Sequence, residues 1–140
     1  MSSKNILTIH NLEKSFFDNQ IPSKSFNKKY TDYSKYKINK PWGHEYLLYG
    51  NRLISIWVLC LNKKSQTSMH SHPSKITYLI PLKDTINLNT LDKKYIASNR
   101  SIFKINKGVY HQSFNMNNSS NLIMELEIPT FKNDIIRYHD

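Results

Sequence analysis

The sequence predicts an all-β domain, a sandwich or barrel of short strands, behind an N-terminal arm. Two observations carry this. From Lys40 onward, short β-branched and aromatic runs alternate with polar turn residues at regular spacing, and no long helical period interrupts them. Glycine is scarce, at three in 140 residues, so the turns fall to Asn, Asp, Ser and Lys, which cluster between the runs.

Residues 1–39 form the arm. Ile6, Leu7, Ile9, Leu12, Phe16 and Phe17 recur at spacings of three and four and predict a short helix face, which Asp18 to Pro22 stops. The stretch from Ser23 reads as extended chain. Its aromatics Phe26, Tyr30, Tyr33 and Tyr36 favour docking on the domain or a partner subunit.

The domain spans residues 40–140. Lys40-Pro41-Trp42-Gly43 is a turn-like opening, Glu45–Tyr49 a first strand, and Gly50-Asn51 a turn. Leu53–Leu61 is the longest apolar run, broken by Ser55, of strand length and too short to span a bilayer. Within it Cys60, the single cysteine, reads as a small buried hydrophobe. Extended runs follow over Gln66–His72, Ile76–Leu82, Thr85–Thr90, Lys93–Ala97, Ser101–Ile105, Tyr110–Asn115 and Asn121–Ile128. Phe131–Asp140 reads as a short helix or a closing strand. Trp42 and Trp57 read as core or lid residues.

The formal net charge is +10. It is denser in residues 1–40, where eight Lys face three acidic residues. No run exceeds two consecutive Lys, and neither an Arg-rich helix nor a Cys/His finger is present, which argues against nucleic acid as the partner. The same charge suits a solvated surface or the steering of an anionic small substrate. With no secretory signal pattern and no apolar span, the expected location is the cytoplasm, away from membranes.

The stretch Ser68-Met69-His70-Ser71-His72-Pro73-Ser74-Lys75 lies between two predicted strands. Residues two apart in a strand point to one face, so His70 and His72 present two imidazoles side by side. His111 follows about forty residues later. Neutral imidazole suits Zn, Fe, Mn or Ni, and a catalytic metal takes about three protein ligands plus an open position. Glu125 and Glu127 alternate with Leu126 and Ile128 and share a face, so one could enter the barrel as a base. Tyr78 and Tyr110 could stack on a sugar ring or donate a hydrogen bond. No nucleophile signature, phosphate loop or dinucleotide fingerprint appears.

His70 and His72, followed by Gly108, His111 and Asn115 in Asn106-Lys107-Gly108-Val109-Tyr110-His111-Gln112-Ser113-Phe114-Asn115, resemble the two motifs of the cupin superfamily. The opening Lys40-Pro41-Trp42-Gly43-His44-Glu45 and the ending Glu127-Ile128-Pro129-Thr130-Phe131 resemble cupins related to type II mannose-6-phosphate isomerases. The resemblance implies a jelly-roll β-barrel, a divalent metal on His70, His72 and His111, a homodimer, and a small anionic sugar-type ligand. It implies binding or turnover of a sugar phosphate or nucleotide sugar, with isomerase or epimerase chemistry in surface-polysaccharide metabolism. The alternative is a non-catalytic cupin that senses such a ligand, met by Lys75, Tyr78, Tyr110 and Glu125.

One departure weighs on the chemistry. Lys75 stands where such cupins place a glutamate. A dication and an ammonium about 5 Å apart at an effective dielectric near 20 repel by roughly 6 to 7 kcal/mol. The conflict is avoided if Lys75 swings to solvent, loses its proton, or joins the histidines in a metal-free anion pocket. The first is the expectation taken here.

Overall fold

The computed structural model describes residues 37–99, 101–130 and 133–138. The predicted helix over residues 6–17 and the extended stretch with Phe26 to Tyr36 lie outside the described residues.

Among the described residues eleven strands make two antiparallel sheets. Strand β1 (Lys37–Lys40) forms a hairpin with β2 (Gly43–Gly50), which pairs with β3 (Ser55–Leu61). Among the described residues the first sheet thus includes Lys37–Lys40, ahead of the expected boundary, and Pro41-Trp42 is the hairpin turn. Glycine is required at 43. Its φ is +144°, and a Cβ there would lie 2.0 Å from the Cys60 carbonyl oxygen. At the other end of β2, the Asn51 side chain accepts hydrogen bonds from the Leu53 and Ile54 amides. That local turn leaves Leu53 exposed and delays β3 to Ser55.

Strand β4 (His70–Ser71) is the ordered remnant of the predicted Gln66–His72 run. Strands β5 (Ile76–Pro81), β6 (Ile86–Thr90), β7 (Lys94–Ala97), β8 (Phe103–Ile105), β9 (His111–Phe114) and β10 (Asn121–Ile128) follow the predicted runs within a few residues. The terminal segment closes as a strand, β11 (Ile136–Arg137), against β4. The sheets run β1-β2-β3-β10-β5-β8 and β11-β4-β9-β6-β7.

Leu59, Leu61, Leu79, Ile105 and Ile123 from the first sheet meet Ile86, Leu88 and Ala97 from the second in one buried cluster. The two sheets thus face each other across a shared core, as in a jelly-roll barrel. Trp42, Trp57 and Phe103 pack against it, half-buried. Cys60 departs from the expectation. It alternates with inward Leu59 and Leu61, so it lies on the other face of β3 and is half-buried. Among the described residues no helix is long and apolar enough to cross a membrane.

Polar side chains fasten one end of the core. Asn115, fully buried, donates to the carbonyls of Leu61, Asn62 and Ser119. Asn121, equally buried, accepts from the Asp84 amide and donates to the Thr85 carbonyl. Asn115 is therefore a structural residue: its amide satisfies carbonyls at the strand ends that would otherwise be buried without donors.

Candidate metal centre

Three imidazoles converge at the other end. His70 and His111 are directly opposite each other across the β4–β9 pair. His72, two residues on from His70, joins them on the same face. Ring centroids are 4.9 Å apart for His70 and His72, 4.5 Å for His70 and His111, and 5.6 Å for His72 and His111. One nitrogen from each lies within 4.8 Å of the others.

The backbone fixes their tautomers. Nδ1 of His70 donates to the Ser68 carbonyl at 2.8 Å, Nδ1 of His111 to the Val109 carbonyl at 3.0 Å, and Nδ1 of His72 to the Asp134 carbonyl. With the proton on Nδ1, each Nε2 keeps a bare lone pair. Nε2 of His72 and of His111 is buried with no hydrogen-bond partner. A buried polar atom without a partner is destabilising, and imidazoles locked at Nδ1 are what a metal site requires of its ligands. These residues fit a divalent transition metal.

Electrostatics agree. Burial pushes His70 down to about 3, helped by His111, His72 and Arg137 and opposed by the Ser68 carbonyl. Burial likewise pushes His111 down to about 4, against the Val109 carbonyl and with help from His72. His72 is lowered by burial and by Lys75, against the pull of the Asp134 carbonyl, Glu127 and Asp134. All three are neutral near pH 7 and free to ligate.

Two backbone devices bring the motifs together. Gly108, at φ +74°, donates its amide to the His72 carbonyl at 2.9 Å. The Asp134 carboxylate accepts the Ser74 amide at 3.0 and 3.1 Å while its carbonyl holds His72. Asp134 was not marked by the sequence, because it acts from 60 residues away through a loop.

Lys75 corrects the expectation. It does not swing to solvent: it is 6% exposed, and its Nζ lies 2.6 Å from Oε1 of Glu127. The other oxygen of Glu127 accepts Ser55 Oγ at 2.8 Å, and Ser55 in turn accepts the Trp57 indole at 3.3 Å. Neither deprotonation nor exposure is needed, because a buried carboxylate neutralises the ammonium.

Glu125 also turns inward rather than to solvent. Its Oε1 stands 4.0 Å from His72 Nε2, and no hydrogen-bond donor reaches it among the described residues. Burial, with Glu127 and Glu45 adding repulsion and Lys75 opposing, pushes its carboxyl up to about 8. His72, Glu125 and Glu127 form a second group with ligand atoms within 4.8 Å of one another, sharing His72 with the first.

The site opens into a cavity of about 1240 Å³, lined among others by Lys40, Trp42, Trp57, His70, Lys75 and Arg137. The tyrosines are placed otherwise than expected. Tyr78 faces away from inward Thr77 and Leu79 on β5 and does not line the cavity. Tyr110 packs edge-on against Tyr138 at 5.6 Å; Tyr138, not Tyr110, reaches the lining.

No protein-family model matches the chain, and no curated protein matches it in sequence. Solved structures do match. KdgF from a Halomonas species aligns with a TM-score of 0.61 at 11% identity, covering 66% of this chain and 84% of that one. A sugar phosphate isomerase from a cupin superfamily, from Silicibacter pomeroyi, gives 0.57 at 12%, covering 62% and 59%. The capsular polysaccharide assembling protein CapF from Staphylococcus aureus gives 0.62 at 13%, covering 74% of this chain but 34% of CapF.

Proposed function

We propose that this protein, a cupin by its double-stranded β-helix fold, binds a divalent transition metal on His70, His72 and His111 and uses it to act on a sugar phosphate or nucleotide sugar. One observation carries the metal reading: three imidazoles are locked at Nδ1 by backbone carbonyls, with two partnerless Nε2 atoms buried between them. When bound, such a metal is a Lewis acid that polarises a carbonyl oxygen. The substrate class is supported by the cavity. Trp42 and Trp57 line it with aromatic surface, and Arg137 brings a positive charge to its wall, while Lys40 is paired there with Glu45 at 3.1 Å. The sugar-related names among the structural neighbours point the same way, and isomerisation or epimerisation is the reaction this reading favours. A non-catalytic sensor of the same ligands is the second reading. It is favoured by the Lys75–Glu127 pair, which ties up one of the two inward carboxylates that could move a proton.

Metal analysis of protein purified without chelator tests the first step. About one equivalent is expected, lost in His70→Ala and His111→Ala, and a metal-free wild type refutes the site. Incubation with a panel of sugar phosphates in heavy water separates the two readings. Exchange of a carbon-bound proton supports the enzyme; binding without exchange supports the sensor.

A further inference from the structure

Position 75 inverts the charge that the first motif would bring to the three histidines, yet the inward face of β10 carries two carboxylates within the same pocket. They are in different states. Glu127 is saturated, with Lys75 on one oxygen and Ser55 on the other. Glu125 has no hydrogen-bond donor among the described residues, and its Oε1 is 4.0 Å from the partnerless Nε2 of His72.

We infer that Glu125 supplies the carboxylate ligand that the first motif lacks, while Glu127 serves to cancel Lys75. The charges support this division. Lys75 and Glu127 sum to zero, so three neutral imidazoles would leave a dication uncompensated; Glu125, whose proton a bound dication would displace, then restores the net charge that a glutamate at position 75 would have given. Distance supports it too. Ligand atoms around a tetrahedral metal, with bonds of about 2.0–2.1 Å, stand about 3.3–3.5 Å apart, close to the 4.0 Å between Glu125 and His72. Glu125 groups with His72 and Glu127, not with all three histidines, so ligation requires its side chain to turn, and no hydrogen bond from the described residues holds it back. Glu127 would have to give up both of its partners to do the same.

This inference rests on the metal reading above, and the experiment keeps the two apart. Zn²⁺ and Co²⁺ affinities are measured by competition with a chromogenic chelator, and the Co²⁺ visible spectrum reports the ligand set. His111→Ala is the control for the histidine site. Glu125→Gln is expected to weaken binding by at least the roughly 10- to 100-fold that loss of a ligand's own hydrogen-bond partner costs, and to change the Co²⁺ spectrum. The double variant Lys75→Met/Glu127→Gln, which removes the ion pair without leaving a charge, is expected to keep the wild-type Co²⁺ spectrum, because neither residue is a ligand on this inference. Wild-type affinity and spectrum in Glu125→Gln would overturn the inference and leave the histidine site standing, as would a double variant whose Co²⁺ spectrum changes as that of Glu125→Gln is expected to. Absence of binding by the wild type would overturn both. Circular dichroism checks folding; if Glu125→Gln does not fold, Glu125→Asp, which keeps the charge but shortens its reach, is expected to show the same weakening and altered spectrum.

Discussion

Glu127→Gln is the most direct probe of how this pocket is held together. The ammonium and carboxylate are 2.6 Å apart, with side chains 7% and 11% exposed. At an effective dielectric of 20, that separation corresponds to a gross attraction of roughly 6 kcal/mol. Desolvation of both ions offsets much of it, so the pair's worth against an apolar replacement is small. Removing one partner is a different matter, because Lys75 stays buried with its charge uncompensated, at a cost of about 3–5 kcal/mol. The lower end, about 3 kcal/mol, applies to Glu127→Gln, since the amide oxygen can still accept a hydrogen bond from Lys75 while the amide NH2 donates to Ser55 Oγ. Replacing both partners, as Lys75→Met/Glu127→Leu, should return stability to within about 1 kcal/mol of wild type. Urea denaturation of the metal-free protein reads this, followed by tryptophan fluorescence. Trp57 donates to Ser55, which itself holds Glu127, so one fluorophore sits beside the perturbation. A Glu127→Gln stability within about 0.5 kcal/mol of wild type, the range of an ordinary surface change, would refute the buried pair.

Two further outcomes follow from the geometry. Gly43→Ala combines a φ of +144° with a Cβ 2.0 Å from the Cys60 carbonyl oxygen; strain alone costs about 1–3 kcal/mol, and the clash should make the variant insoluble or lower its thermal midpoint markedly, whereas Gly108→Ala, with open space at its Cβ, should bear only the strain. The metal-free protein should be most stable near pH 6.5. His70 and His111, held at about 3 and 4 when folded and near 6.5 when unfolded, are protonated in the unfolded chain first, so stability falls as pH drops below 6.5. Glu125, at about 8 when folded against 4.5 unfolded, has the opposite sign, so its contribution is lost as pH rises towards 8. Denaturation midpoints measured from pH 5 to 9 check both arms, and Glu125→Gln should flatten the alkaline one.

Strand order in the chain was legible because polar turns punctuate apolar runs, and the pairing of His70, His72 and His111 was legible because strand alternation and motif spacing both predict it. Inward and outward faces were not legible where both are apolar. Ile76, Tyr78 and Ile80 look as suited to a core as Thr77, Leu79 and Pro81, and nothing local says that the second set points in. The same ambiguity misplaced Cys60 within an apolar run. The inward placement of Lys75 is hidden for another reason. Its neutralising partner lies 52 residues away, and a cation's preference for water is overturned only by a long-range contact that no local pattern carries. The role of Asp134, set by its backbone carbonyl and a loop amide, leaves still less trace in residue type.

Strand β10 works as a ruler of environment. Its inward residues run Asn121, Ile123, Glu125, Glu127: an amide tying off a turn, an aliphatic filling the core, then two acids facing the chamber. Each step of two residues moves a side chain from packed hydrocarbon towards the open mouth without altering the backbone. The chamber wall is thus set at 125 and 127, and at their β3 neighbours Trp57 and Ser55 across the ladder, while Leu59, Leu61 and Ile123 pack in the core. Of the four wall positions, 125 alone carries no side-chain hydrogen bond among the described residues, whereas 55, 57 and 127 are linked through Ser55 and through the Lys75 ion pair, so a change at any of those three has to be matched at its partner to keep the fold.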